Sequence, residues 1–227
     1  PGGSVYGGGA SRVDLDEELR RVVPVVEQLA SRFPGVILSV DTYKPEVAER
    51  SLEAGAHVIN DVTGLRLYPE MADVAARFGA PLIVMHSLGR PGEMPHEHAY
   101  GDVVSEVALS LRDAIRRAES AGVRDIVTDP GFGFGKSLEE NLKLLRETRA
   151  FAALGRPVLV GISRKSTIGK LLAADGEMRP THERLFGTLG ATSVAALAGA
   201  SIIRTHDVGP TVDFLRVLKA AAFEPSS

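Results

Sequence analysis

None of the 227 residues is a cysteine. That excludes disulfides, thiolate nucleophiles and zinc–sulfur sites, and it is compatible with a reducing cytosol. Long apolar runs are also missing. The best, Val194 to Ile203, holds Gly199 and Ser201 and falls well short of the roughly 18 residues of a membrane span. There is no secretory signal pattern. A net charge of −3 gives no reason to expect nucleic acid or an acidic membrane as partner. No Ser/His/Asp order with a nucleophile elbow is visible. The expectation left standing is a cytoplasmic globular protein that handles small molecules. The chain opens without an initiator methionine on Pro1-Gly2-Gly3-Ser4, then Gly7-Gly8-Gly9. This reads as a loop, and further sequence is expected upstream.

Hydrophobic residues make up 44% and charged residues 24%, ordinary for a globular chain long enough to bury a sizeable core. We expect a loop remnant at 1–13, one domain at 14–222 and a tail at 223–227. Asp14-Leu15-Asp16-Glu17 starts a helix with acids in its first turn, and Leu15, Leu19, Val22, Val23, Val26 and Leu29 keep one face. Six strand–helix units follow. Their strands are apolar on both faces, the pattern of a parallel sheet covered on both sides. Helices are expected from Pro45 to Ala54, Pro69 to Gly79, about Asp102 to Ala121, Ser137 to about Leu154, Glu183 to Ala198, and from Pro210 onward.

The chain is organised around Thr128-Asp129-Pro130-Gly131-Phe132-Gly133-Phe134-Gly135-Lys136-Ser137. An apolar strand delivers a carboxylate, then a loop of alternating glycines, then a helix opened by a Ser137/Glu140 capping box. Glycines of this kind let backbone approach a ligand closely. The P-loop reading fails because position 130 is proline, and the spacing is not that of a dinucleotide loop.

Every strand ends in polar groups: Asp41, Asn60, Asp61, His86, Asp129, Lys165, Arg204 and His206. An open doubly wound sheet gathers its site at one switch point, whereas a (β/α)₈ barrel collects residues from all its strand ends. The barrel is therefore expected, with its first two strands upstream. On the rim Asp41, Asp61 and Asp129 face Lys165, Arg204 and Arg164. Ionised carboxylates suit a ligand with paired N–H donors, and Arg204, His206 and Lys165 suit a phosphate or pyrophosphate. Asp61 and Asp207 read equally as turn caps or neighbours' partners. His96-Glu97-His98 resembles a metal pair, but it lies in a polar loop without a third ligand nearby. His57 reads as structural.

Taken together, Ser39-Val40-Asp41-Thr42-Tyr43-Lys44-Pro45, Ile59-Asn60-Asp61-Val62-Thr63-Gly64, Val84-Met85-His86, the glycine loop, Gly161-Ile162-Ser163-Arg164-Lys165-Ser166 and Arg204-Thr205-His206-Asp207 resemble the dihydropteroate synthase family. The resemblance implies a (β/α)₈ barrel that joins p-aminobenzoate to 6-hydroxymethyl-7,8-dihydropterin pyrophosphate. It implies Lys165, Asp129 and Arg204 as catalytic groups and a pterin pocket of Asp41, Asn60, Asp129, Lys165, Met85 and Phe134. Ser166, Lys165 and Phe134 would take p-aminobenzoate, and Arg204 with His206 the pyrophosphate. A homodimer through the last helices is implied, as is Mg²⁺ held by an asparagine of the family's first loop, so that this chain itself offers no metal ligand. That asparagine's motif is not in this sequence, and Thr205 stands where valine is commoner. Two alternatives remain: a methyltetrahydrofolate-binding corrinoid methyltransferase-type barrel, and a non-catalytic pterin-binding relative.

Overall fold

The computed structural model describes residues 13–88 and 100–222. Helix α1 (Leu15–Arg32) is followed by β1 (Ser39–Asp41), α2 (Pro45–Glu53), β2 (Val58–Asp61), α3 (Met71–Phe78), β3 (Leu82–Met85), α4 (Val103–Ser120) and β4 (Ile126–Asp129). Then come α5 (Leu138–Arg146), α6 (Thr148–Ala152), β5 (Leu159–Val160), α7 (Ser166–Leu171), α8 (Leu185–Leu197), β6 (Ile202–Ile203) and α9 (Val208–Ala222).

Strands β1 to β4 pair in parallel and in chain order, as do β5 and β6, and a single parallel bridge between Thr128 and Val158 joins the two groups. A doubly wound sheet reverses its strand order at the middle. Here the order never reverses, and each crossover carries helix, so the six strands form consecutive staves of a (β/α)₈ barrel wall. Among the described residues β1 and β6 are the edges of that wall. This explains where burial departs from expectation: Ile202 on β6 and Val36 and Ile37 before β1 are exposed, although the sequence reads them as doubly covered. One continuous core runs from Val26 through β1–β5 to Ala195, and each fully buried aliphatic side chain in it contributes about 1.5–3 kcal/mol.

Local chemistry sets the element ends. Asp14 caps α1 by accepting from Glu17 N at 2.8 Å, and Pro45 sits in the first turn of α2, where its missing N–H costs nothing. Helix α3 begins at Met71 rather than Pro69. The long helix expected from Ser137 breaks at Glu147 (φ −98°). There the Thr148 hydroxyl donates back to the carbonyls of Leu144 (3.2 Å) and Leu145 (2.9 Å), competing with the helical ladder. Helix α7, six residues long, lies where the sequence reads only loop. Helix α1 packs through Val26 and Val22 of its apolar stripe, whose Leu29 is exposed, and is also anchored through Glu18. That carboxylate is buried, lies 2.7 Å from Lys44 Nζ and accepts from Thr42 Oγ1 at 2.9 Å.

Candidate active site

The rim converges at the carboxyl ends of the strands. Asn60 Nδ2 donates to Asp41 Oδ1 at 2.8 Å, and Arg204 Nη1 reaches Asp41 Oδ2 at 3.0 Å. The same guanidinium lies 3.9 Å from Asp129 Oδ2. Asp41, Lys165, Arg204 and His206 line one cavity of about 360 Å³ with Gly161, Ser163 and Thr205.

Asp129 closes β4 with 2% of its surface exposed. Its Oδ1 accepts the Gly131 amide at 2.8 Å, leaving Oδ2 turned toward Arg204. Burial pushes its carboxyl above the ordinary range, opposed by Lys165, Arg204, the Gly131 amide and Lys136. Asn60 Oδ1 is buried without a hydrogen-bond partner among the described residues. A buried acceptor left unpaired costs about 1–3 kcal/mol, a cost that a ligand N–H in the site would remove.

The glycine loop wraps the Lys165 side chain. Lys165 Nζ donates to the Phe132 carbonyl and sits 4.2 Å from the centre of the Phe134 ring. Gly133 (φ +82°) makes room for it, since a Cβ there would lie 2.6 Å from Lys165 Cδ. Gly131 (φ +69°) runs against β3 so closely that a Cβ would meet the His86 carbonyl oxygen at 1.8 Å. Burial lowers the Lys165 ammonium to about 7, helped by Arg204 and opposed by Asp129 and, more weakly, Asp41.

Two residues given no role in the sequence reading fasten this loop. Lys136 Nζ donates to the carbonyls of Gly131 (2.9 Å) and Phe134 (3.0 Å). Asn141 Oδ1 accepts the Gly133 amide at 2.6 Å while its Nδ2 donates to Lys136 O and Ser137 O. Burial together with Lys165 lowers Lys136 to about 7. Their signal in the sequence is faint: a lysine and an asparagine flanking the capping box, which is formed as expected, with both Ser137 and Glu140 bonds present.

Several expected rim residues sit elsewhere. Asp61 does not join the rim. It is buried beneath its own loop, accepting from Thr63 N, Thr63 Oγ1 and Leu65 N, each at 2.8 Å, so its turn-cap reading holds. Arg164 does not face the site carboxylates; it forms a two-pronged pair with Asp207 at 3.1 and 2.5 Å. Met85 is fully buried, under Phe134 in a cluster with Tyr43 and Val62, and so supports the pocket from below. Ser166 is exposed at the start of α7 beside Lys165. His206 is exposed, with Nδ1 2.9 Å from the buried hydroxyl of Ser163, another residue the sequence reading left out. His57 Nδ1 accepts the Leu38 amide at 3.1 Å, a structural role. His96-Glu97-His98 lies outside the described residues.

The site therefore pairs buried acceptors with clustered cations, and comparison with known proteins decides what kind of site it is. The family of pterin binding enzymes matches residues 2–206. Dihydropteroate synthase of Escherichia coli strain K12 is 45% identical over 221 residues, covering 96% of this chain and 76% of that protein. This chain belongs to the dihydropteroate synthase family. The Mycobacterium leprae dihydropteroate synthase is 42% identical over 96% of this chain and 78% of its own length. The dihydropteroate synthase of Xanthomonas albilineans, solved with 4-aminobenzoic acid, superposes with a TM-score of 0.88 at 42% identity, covering 99% of this chain and 78% of that one. The Thermus thermophilus enzyme, solved in complex with 6HMPPP, gives 0.85 at 47% identity over 92% of this chain and 80% of that one. Both make the fold a (β/α)₈ barrel, and these relatives favour the synthase over the corrinoid methyltransferase alternative. Among the described residues no helix is long and apolar enough to cross a membrane.

Proposed function

We propose that this chain condenses p-aminobenzoate with 6-hydroxymethyl-7,8-dihydropterin pyrophosphate to give 7,8-dihydropteroate and pyrophosphate. The observation that carries the reading is the pairing of a buried carboxylate, Asp129, and a buried unpartnered acceptor, Asn60 Oδ1, with the Lys165 and Arg204 cations. An amino-pyrimidinone edge offers adjacent N–H donors to two such acceptors. Asp41 reaches that edge through Asn60, and Lys165 takes the carbonyl side. Phe134 covers the ring, with Met85 packed beneath it.

Arg204, with His206, takes the pyrophosphate. When the methylene C–O bond breaks, its electrons leave with pyrophosphate and positive charge spreads into the pterin ring. Carboxylates fixed at Asp41 and Asp129 favour that charge and Arg204 favours the departing anion, which is electrostatic preorganisation. The neutral aniline nitrogen then attacks the methylene carbon and loses a proton. Ser166, beside Lys165 at the start of α7, takes the p-aminobenzoate carboxylate. A homodimer through α8 and α9 agrees with the exposed Phe186, Val212 and Val217 on those helices. The resemblance also implies magnesium. Its protein ligand would lie on the family's first loop; among the described residues no three carboxylates and histidines gather to hold a metal by themselves, and magnesium ordinarily binds through few protein ligands together with substrate phosphates.

The test is release of pyrophosphate by the purified chain given both substrates. Release that needs p-aminobenzoate and yields dihydropteroate supports the reading. A folded chain that binds the pterin yet forms no product would reduce it to a non-catalytic pterin-binding relative.

A further inference from the structure

The turn that presents Lys165 is held in an unfavourable shape. Arg164 has φ +60°, a left-handed conformation that a side chain other than glycine adopts at a cost and that persists only where the surroundings enforce it. Three contacts enforce it here. The Arg164 guanidinium pairs with Asp207, and the Arg164 amide donates to Thr188 Oγ1 at 3.3 Å. The third contact is the Arg164 carbonyl, which accepts from Arg184 Nη1 at 2.7 Å.

Arg184 is 8% exposed, and the contacts the structure gives it are to backbone carbonyls: Arg164 O, and Arg179 O at 2.7 Å from Nε. Burying a guanidinium without a carboxylate is costly, so the sequence would gain by a neutral residue here unless those carbonyls had to be held. The cradle is made by Gly169 on α7. A Cβ at that position would lie 2.6–2.7 Å from Arg184 Cζ, Nε and Nη2.

We propose that Arg184 is a positioning residue for Lys165. It grips the Arg164 carbonyl so that the turn stays left-handed and the Lys165 ammonium stays on the Phe132 carbonyl and the Phe134 ring. The proposal rests on the reading of Lys165 as a group that meets the substrates. The charged groups facing that ammonium are Asp129 from β4, Asp41 from β1, Arg204 from beyond β6 and Lys136 from the glycine loop. A loosened turn lets water reach the ammonium, and its titration then moves up from about 7 toward the ordinary lysine value.

Gly169→Ala tests this without deleting a charge, because the added methyl pushes the flexible guanidinium off its carbonyl. Compared with the wild type, Gly169→Ala and Arg184→Met should each lower kcat/KM for p-aminobenzoate by about tenfold to a hundredfold and weaken pterin affinity as well, since Lys165 meets both substrates. The double variant should be no worse than Arg184→Met alone, since both remove one contact, and Arg184→Lys should recover part of the loss. The Lys165 titration, followed by NMR of labelled lysine, should move upward in both single variants. Folded variants with unchanged kcat/KM and an unmoved titration would overturn the proposal, as would losses that multiply. If Arg184→Met does not fold, Gly169→Ala decides alone. A wild type without turnover would count against the proposed function; the Lys165 titration would then decide the present inference by itself.

Discussion

The guanidinium of Arg204 lies 3.0 Å from the carboxylate of Asp41, although 163 residues separate them. One residue follows the last described strand and the other ends the first, so this contact spans the flank of the wall where no described strands pair. It also puts a cation between two carboxylates, since Asp129 Oδ2 is 3.9 Å from the same group. The charge arrangement that the chemistry needs is thus assembled by the barrel's curvature and not by any local motif.

Replacing Arg204 by alanine should lower kcat by about a hundredfold or more, the usual effect of removing one group that stabilises developing charge. It also removes a cation that holds the Asp129 carboxyl down, so pterin affinity near neutral pH should weaken and recover as pH rises. Steady-state kinetics and binding at several pH values check both parts. An unchanged kcat would contradict the dissociative displacement.

Lys136 makes stability depend on pH with a definite sign. Its folded value is about 7 against 10.5 for the free side chain. Below pH 7 both states carry the proton and the folded state bears the cost of a buried ammonium. Between the two values the unfolded chain holds more protons, so stability rises with pH, by at most about 1.4 kcal/mol per pH unit from this group. Urea midpoints at pH 7, 8 and 9 should climb, and Lys136→Met should reduce the slope, the remainder coming from Lys165, whose ammonium is likewise lowered to about 7.

Asp61 accepts three hydrogen bonds from the loop it starts and is not among the residues that line the cavity. Asp61→Ala should therefore cost about 2–4 kcal/mol in a denaturant melt by leaving buried donors unpaired. KM for the pterin substrate should change little while the variant remains folded. A large KM effect at unchanged stability would return Asp61 to the site.

What the sequence made legible follows from where the information sits. Strand ends, the capping box at Ser137 and the glycine loop are local patterns of apolar runs and turn residues, and they appear where expected. The barrel follows from counting strand ends that carry polar groups. Partner choice was not legible, because it depends on side-chain reach across the fold. Arg164 pairs with Asp207 instead of the rim carboxylates, and Glu18, one acid among several on a polar helix, turns out buried against Lys44. The break at Thr148 and the short α7 were missed for a related reason: a hydroxyl's back-bond and a six-residue helix leave no periodic signal.

The most direct test is calorimetric binding of 6-hydroxymethyl-dihydropterin to this chain and to Asp129→Asn, with and without pyrophosphate. The account predicts binding that pyrophosphate modifies and that the substitution abolishes, because the amide presents a donor where the pterin needs an acceptor. Equal binding by both proteins, or none by a wild type shown to be folded, would contradict it.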